Sequence, residues 1–463
     1  MKQRNYAPLM AELAGAYARH APASAARHTH ALRHLVDGVS HGLRYVEPFP
    51  PCLTAARGAW VEDEDGHRIL DFWQGHYANL LGHNPPVVTE VLARAFAGGY
   101  GLQTGLIDRA QAEAADLLCR RTGAERVRFT TSGTLATMAA LMLARAFTGR
   151  ELILKVGGGW HGGQPWGLKG VGFRDGFDHL DSHGLPPSVA EHVLLTRFND
   201  PDHLHDTFRR YGDRLAAFIV EPVIGAGGMI PARRVYLQAA RELTRQYGAL
   251  LVFDEIITGF RFRAGDAGAL YGVTPDLAAF GKTIGGGMPV AAVAGRADVL
   301  ALAGRGGTVR FDGGTYAAHP AAMLAARTML EHLVTHEADV YPVLRERAVQ
   351  TRKVVTGAFA GEGIFVRFAG DRVDDLPGCS LHMPLFPYEE AADRPFDTPD
   401  EALDPRLTDR ELAERVLRLA LLLENVHTVH GLGATTTAHA EAELAFLGEA
   451  CRRAAARIRP FLS

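Results

Sequence analysis

Leu250-Leu251-Val252-Phe253-Asp254-Glu255, followed downstream by Phe280-Gly281-Lys282-Thr283-Ile284-Gly285-Gly286-Gly287, decides the fold. Four consecutive apolar residues read as a strand buried on both faces, and such a strand belongs to a parallel sheet covered by helices. Its end delivers an acidic pair, and a lysine then follows among glycines. Working outward between about 85 and 310, this run (249–253) and others at 152–156 and 216–220 alternate with helical stretches. That alternation predicts an α/β fold with a mostly parallel sheet flanked by helices, whose ligands bind off the carboxyl ends of the strands.

Two more stretches point to those ends. Val127-Arg128-Phe129-Thr130-Thr131-Ser132-Gly133-Thr134 leads into an Ala-rich run to Arg145, a strand, a turn and a helix start. Free amides there, with the Ser132 and Thr134 hydroxyls, suit a phosphate dianion, although Ser and Thr are ordinary helix caps as well. Glu151-Leu152-Ile153-Leu154-Lys155-Val156 runs into Gly157-Gly158-Gly159-Trp160-His161-Gly162-Gly163, where an aromatic among glycines can lie against a flat ring. His161 is read as orienting the stacking ring or an acidic partner, or as a structural histidine. A lysine, a strand-end carboxylate, a phosphate cradle and a stacking ring together are the needs of pyridoxal phosphate: a Schiff-base lysine and an acid facing the pyridine nitrogen.

In that order the motifs resemble those of class-III (fold-type I) aminotransferases, and within them glutamate-1-semialdehyde aminomutase. The family's S-G-T-E-A stands as Ser132-Gly133-Thr134-Leu135-Ala136, Y-H-G as Trp160-His161-Gly162 and E-P-V as Glu221-Pro222-Val223. F-D-E-V-x-T-G-F-R stands as Phe253 through Arg261, G-K-x-I-G-G-G-x-P as Gly281 through Pro289, and H-G-G-T-[FY] as Asp312-Gly313-Gly314-Thr315-Tyr316. The resemblance implies a fold-type I domain with a smaller α+β C-terminal domain, here divided as an N-terminal segment 1–72, a cofactor domain 73–318 and a small domain 319–463.

The resemblance also implies roles. Lys282 holds the cofactor and shuttles protons, and Asp254 keeps the ring nitrogen protonated. Trp160 and Ile256 cover the ring faces, Ser132, Gly133 and Thr134 hold the phosphate, and Glu221 stands behind them. Thr315 completes the phosphate site of a neighbouring subunit, so a homodimer with shared active sites is expected. Gly38-Val39-Ser40-His41-Gly42-Leu43-Arg44 resembles the aminomutase segment G-V-N-S-P-V-R, which makes Arg44 the candidate for the substrate carboxylate, with Arg367 second.

Departures from the pattern bear on the reaction. Leu135 replaces the usual acid, Asp312 and His319 replace the usual His and Asn, and Thr428-Val429-His430-Gly431-Leu432-Gly433 stands where the aminomutase has S-x-F-E-A-x-F. The expected activity is therefore transamination between a small amino acid, with β- and ω-amino acids among the candidates, and a keto acid. A glutamate-1-semialdehyde-type aminomutase or an amino-acid epimerase is the alternative. A pyridoxal-phosphate-binding protein without catalysis is disfavoured by the retention of Lys282 and Asp254.

Composition bounds the rest. The 463 residues, 47% hydrophobic and 22% charged, suit a folded enzyme of more than one domain. Lys+Arg 49 against Asp+Glu 52 leaves −3, no footprint for nucleic acid or anionic membrane. The four cysteines lack C-x-x-C spacing and the 21 histidines form no H-E-x-x-H, so free thiols and no metal are expected. No apolar run approaches the ~20 residues of a membrane helix. The Ala-, His- and Arg-rich first 36 residues brush against a transit peptide, but Leu9, Leu13 and Tyr17 recur at helical spacing as in a docking helix. A cytoplasmic location is expected. Trp60 to Leu70 is predicted as a hairpin turning at Asp65-Gly66. Beyond 320 a long helix, a strand over Gly361–Phe368, a connector over 370–406 and closing helices are predicted.

Overall fold

The computed structural model describes residues 4–462. Helix α1 (Ala7–His20) buries Leu9, Met10, Leu13 and Tyr17, the spacing that marked it as a docking helix. Strands β1 (Leu53–Arg57), β2 (Trp60–Asp63) and β3 (Arg68–Asp71) form an antiparallel sheet, with β2 and β3 joined by the expected hairpin. Gly66 takes the positive φ of +84° that this turn needs.

The large sheet follows. Its strands are β4 (Arg126–Thr130), β5 (Leu152–Val156), β6 (Val193–Thr196) and β7 (Leu215–Val220); after a small hairpin of β8 (Val223–Ile224) and β9 (Ile230–Pro231) come β10 (Leu250–Glu255), β11 (Leu277–Phe280) and β12 (Ala291–Gly295). The order is β4-β12-β11-β10-β7-β5-β6, and only β12 runs antiparallel to its neighbours. Every residue of β5, β7, β10 and β11 is buried, which is why these strands read as unbroken apolar runs rather than alternating ones. Helix α2 (Gly133–Thr148) covers one face with Ala139, Ala140, Leu143 and Ala144; its three alanines let it sit close over Val252, Leu277 and Val293.

After residue 319 the outcome differs from the expectation. Two helices, α3 (Pro320–Thr335) and α4 (Glu337–Gly361), stand where one was predicted, with a break at His336. The strand predicted over Gly361–Phe368 is only β13 (Arg367–Phe368): α4 runs to Gly361, and Gly363 at φ +72° turns the chain out of it. Short strands β14 (Leu381–His382), β15 (Pro384–Leu385), β16 (Val426–His427) and β17 (Gly433–Ala434) and helix α5 (Glu441–Ile458) complete the chain. β16 adds in parallel to β3, so the first and last parts of the sequence share one sheet. They also share one core, in which Leu9 and Tyr17 meet Phe359, Leu421 and Leu447.

Candidate active site

Five loops leave the carboxyl ends of parallel strands and meet at one cavity of about 510 Å³. After β4 come Ser132, Gly133 and Thr134, and after β5 come Trp160 and His161. Glu221 follows β7, Asp254 ends β10 with Ile256 just beyond, and Lys282 follows β11. Arg44 reaches the same cavity from the N-terminal segment. Of the residues picked from sequence, Thr315 does not line this cavity and is exposed on the surface. Arg367 is elsewhere too. Its Nε donates to Asp371 Oδ2 at 3.0 Å and its Nη1 to the carbonyls of Ala392 and Arg394, so it is spent on holding the connector and cannot be the alternative carboxylate receiver.

Lys282 sits at φ +47°, and its Nζ makes no hydrogen bond or ion pair among the described residues. Burial lowers its pKa to about 8, aided by the Arg261 charge and opposed by Asp254 and Glu221. An amine so placed is partly neutral near pH 7 and free to act. Lys155 is the contrast. Its Nζ donates to the carbonyls of Gly159 (2.9 Å), Gly167 (3.0 Å) and Lys169 (2.7 Å), which uses every proton of an ammonium to brace the glycine loop under Trp160.

Asp254 is buried, its Oδ1 accepting from the Ile256 amide at 3.1 Å and its Oδ2 facing His161 Nδ1 at 2.8 Å. Burial holds the His161 imidazole below its ordinary pKa, although Asp254 pulls the other way. A neutral ring against a carboxylate must place its proton on Nδ1, so His161 orients the acid, one of the roles open to it from sequence. Glu221 is no solvated strand-end acid: it accepts from the Trp160 amide and the Gly225 amide, both at 2.9 Å. Burial and then the charge of Asp254 push its carboxyl well above the usual range.

The residues expected to form the phosphate cradle and ring faces stand beside them. Ser132 Oγ caps α2 through the Leu135 amide at 3.4 Å, while the Gly133 and Thr134 amides at the head of this 16-residue helix have no partner within the described residues. A Cβ on either Gly133 or Gly281 would come within 3.0 Å of Ile256 Cδ1, so both glycines are required for Ile256 to sit where it does. The indole of Trp160 is 42% exposed, an open aromatic face at the cavity. A free amine, a buried acid with a fixed orientation, unengaged amides at a helix head and an open indole fit pyridoxal phosphate. No group of three or more His, Cys, Asp or Glu side chains that could hold a metal is found among the described residues.

Sequence reading missed part of the cavity. His76 and Ala78, from the turn after β3, line it, as do His41, Met288 and Val290. His76 carried no recognisable motif, because Trp73-Gln74-Gly75-His76-Tyr77 has neither a periodic pattern nor a turn signature.

Comparison with known proteins agrees with the geometry. The family described as aminotransferase class-III matches residues 43–355. A glutamate-1-semialdehyde 2,1-aminomutase of Laribacter hongkongensis is 33% identical over 416 residues, 88% of this chain and 92% of that protein. Among solved structures, an omega-transaminase from Sphaerobacter thermophilus superposes with a TM-score of 0.83 at 31% identity, covering 95% of this chain and 98% of that one. A beta-phenylalanine aminotransferase from Variovorax paradoxus follows at 0.81 and 29%, covering 97% of each.

Proposed function

The chain belongs to the class-III aminotransferases, pyridoxal phosphate is its cofactor, and from that premise we propose that it transfers an amino group between a small amino acid and a keto acid, with β- and ω-amino acids among its donors. The observation that carries transamination over isomerisation is the stretch Thr428–Gly433. It forms the turn between β16 and β17, with His430 at φ +55° and its Nδ1 3.7 Å from Glu414, where the aminomutase pattern has S-x-F-E-A-x-F. The aminomutase reading is kept as the alternative because of the 33% identity over 88% of the chain to an enzyme of that name.

The bound cofactor supplies an electron sink for the substrate carbon that loses its proton. The chain's residues do the rest. Lys282 would hold the cofactor's aldehyde carbon and, once released from it, take the proton from the substrate carbon at Nζ and return it on the cofactor side. Asp254, steadied by His161, would hold the proton on the ring nitrogen. The α2 head, with Ser132 and Thr134, would bind the phosphate. Trp160 and Ile256 would cover the ring's two faces and exclude water. Arg44, whose guanidinium makes no ion pair among the described residues, would receive the substrate carboxylate.

The two reactions differ in stoichiometry. With an amino donor alone, a transaminase yields one keto product per site and stops until a keto acid arrives. An isomerase turns over continuously on its one substrate. A burst of one product per site, relieved by added keto acid, is expected. Catalytic isomer formation without any keto acid would replace this reading by the aminomutase or epimerase one.

A further inference from the structure

Immediately after β3 the backbone enters a conformation that L-residues avoid. Gln74, Gly75, His76 and Tyr77 have φ of +48°, +62°, +65° and +65°, one turn of left-handed helix of which only one residue is glycine. Such a turn persists only when its surroundings hold it, and such strain clusters at functional sites. Here the holding groups are explicit. Asp71 accepts from the Trp73 amide at 2.9 Å and the Gln74 amide at 2.8 Å, Gln74 Nε2 donates to the Asp71 carbonyl at 2.9 Å, and Arg261, fully buried with no ion pair among the described residues, donates from Nη2 to the Tyr77 carbonyl. Gln74 and Tyr77 turn into the core, whereas His76 lines the cavity.

The imidazole of His76 makes no hydrogen bond among the described residues; it meets the ring of His41 edge-on at 4.7 Å, that of Trp73 at 4.8 Å and, further off, that of Tyr77 at 6.3 Å. Burial first, then the charges of Lys282, His41, His430 and Arg44, push its pKa down to about 3, so it offers one neutral donor and one neutral acceptor. Among the described residues the only acids lining the cavity are Asp254 and Glu221, each already hydrogen-bonded within the protein. Leu43, Ala78, Met288 and Val290 add apolar surface to the same lining.

We propose that His76 is a specificity-determining residue, hydrogen-bonding a second polar group of the substrate beyond the carboxylate that Arg44 receives. The enzyme then selects amino acids bearing a further carboxylate, amide or hydroxyl over their apolar isosteres. This rests on the reading of the site as an amino-acid pocket. A pocket that hydrogen-bonds its substrate rejects the analogue lacking that group, since the buried polar partner is left unpaired.

The test uses the cofactor-loaded enzyme, with His76→Gly, which releases the backbone strain, and His76→Asn, which tolerates a left-handed conformation and keeps a donor and an acceptor. Two ratios are read: the rate of the first keto product from asparagine over its near-isostere leucine, and the calorimetric affinity for the unreactive glutarate over butyrate. The parent should favour asparagine and glutarate. His76→Gly should lose roughly tenfold or more in both ratios while melting no lower than the parent, and His76→Asn should keep most of them. Unchanged ratios in His76→Gly, or a large fall in melting temperature in both variants, would overturn the proposal. If no amino acid yields product at all, the reading of the reaction fails, and the glutarate-to-butyrate ratio still decides the role of His76.

Discussion

At the scale of single residues, the site turns on which lysine is free. Lys282 and Lys155 both have pKa values lowered to about 8 by burial, yet they are opposite in availability. Lys155 satisfies three carbonyls, and Lys169 donates to those of Ala190 and Val193. Borohydride reduction of the loaded enzyme followed by peptide mapping should therefore find the pyridoxyl group on Lys282. Lys282→Ala should abolish the label and lower turnover by roughly 10²–10⁴-fold, the usual worth of a positioned proton-transfer group. A label on Lys155 or Lys169 would refute the assignment. Lys282 and Asp254 are legible in sequence because their chemistry is tied to short local patterns, a glycine-rich turn and a strand end. Lys155 reads only as one residue of an apolar strand, and its three acceptors come from a loop whose path no local pattern specifies.

At the scale of elements, legibility follows the same division. Strands β5, β7 and β10 announce themselves because burial on both faces forces unbroken apolar runs. The misplaced strand at Gly361–Phe368 shows the limit: its apolar residues Ile364 and Val366 are buried, but in a core made by α4, α5 and the N-terminal sheet rather than in a ladder. The left-handed turn is less legible still, since tertiary hydrogen bonds from Asp71 and Arg261 impose it. Asp71 also faces His83 Nε2 at 2.8 Å and His427 Nδ1 at 2.9 Å, so one carboxylate joins β3, the turn and β16. Burial alone would raise its pKa, but the hydrogen bonds from His427 and His83 outweigh that and hold it well below the carboxylate range. A folded-state pKa below the unfolded value of about 3.9 means the stabilisation is present above that pH and is lost as pH falls through the folded value. Asp71→Asn should thus cost about 1.5–3 kcal/mol near neutrality, the worth of hydrogen bonds to a charged group, by removing the carboxylate that His83 and His427 face. In denaturant titrations the gap between variant and parent should hold steady from pH 8 to 5 and narrow below about pH 4. A gap that stays constant down to pH 3 would show that Asp71 acts by shape rather than charge.

At the scale of the whole molecule, Thr315 lies on an exposed surface to which two loops contribute. The loop around it is tied to a second loop, because Gln103 Nε2 donates to the Thr315 carbonyl. Those two loops expose Leu102, Leu106, Ile107 and Tyr316 at 74%, 78%, 90% and 63%. Large apolar side chains this open, gathered on one face, mark an interaction surface rather than scattered exposure. A second copy of the chain would cover them and carry Thr315 to the partner's phosphate site, which would account for a residue matched to the cofactor motif lying outside its own cavity. On this proposal the protein is a dimer in sedimentation, and Thr315→Ala leaves the dimer intact while weakening cofactor retention. A hydrogen bond to a charged phosphate is worth about 1.5–3 kcal/mol, so retention should fall by roughly tenfold or more. The readout is the concentration of free cofactor at half-loading, followed by absorbance after dialysis. A fully active monomer would end the shared-site argument. A dimer whose Thr315→Ala variant binds cofactor as the parent does would keep the interface and remove Thr315 from the phosphate site.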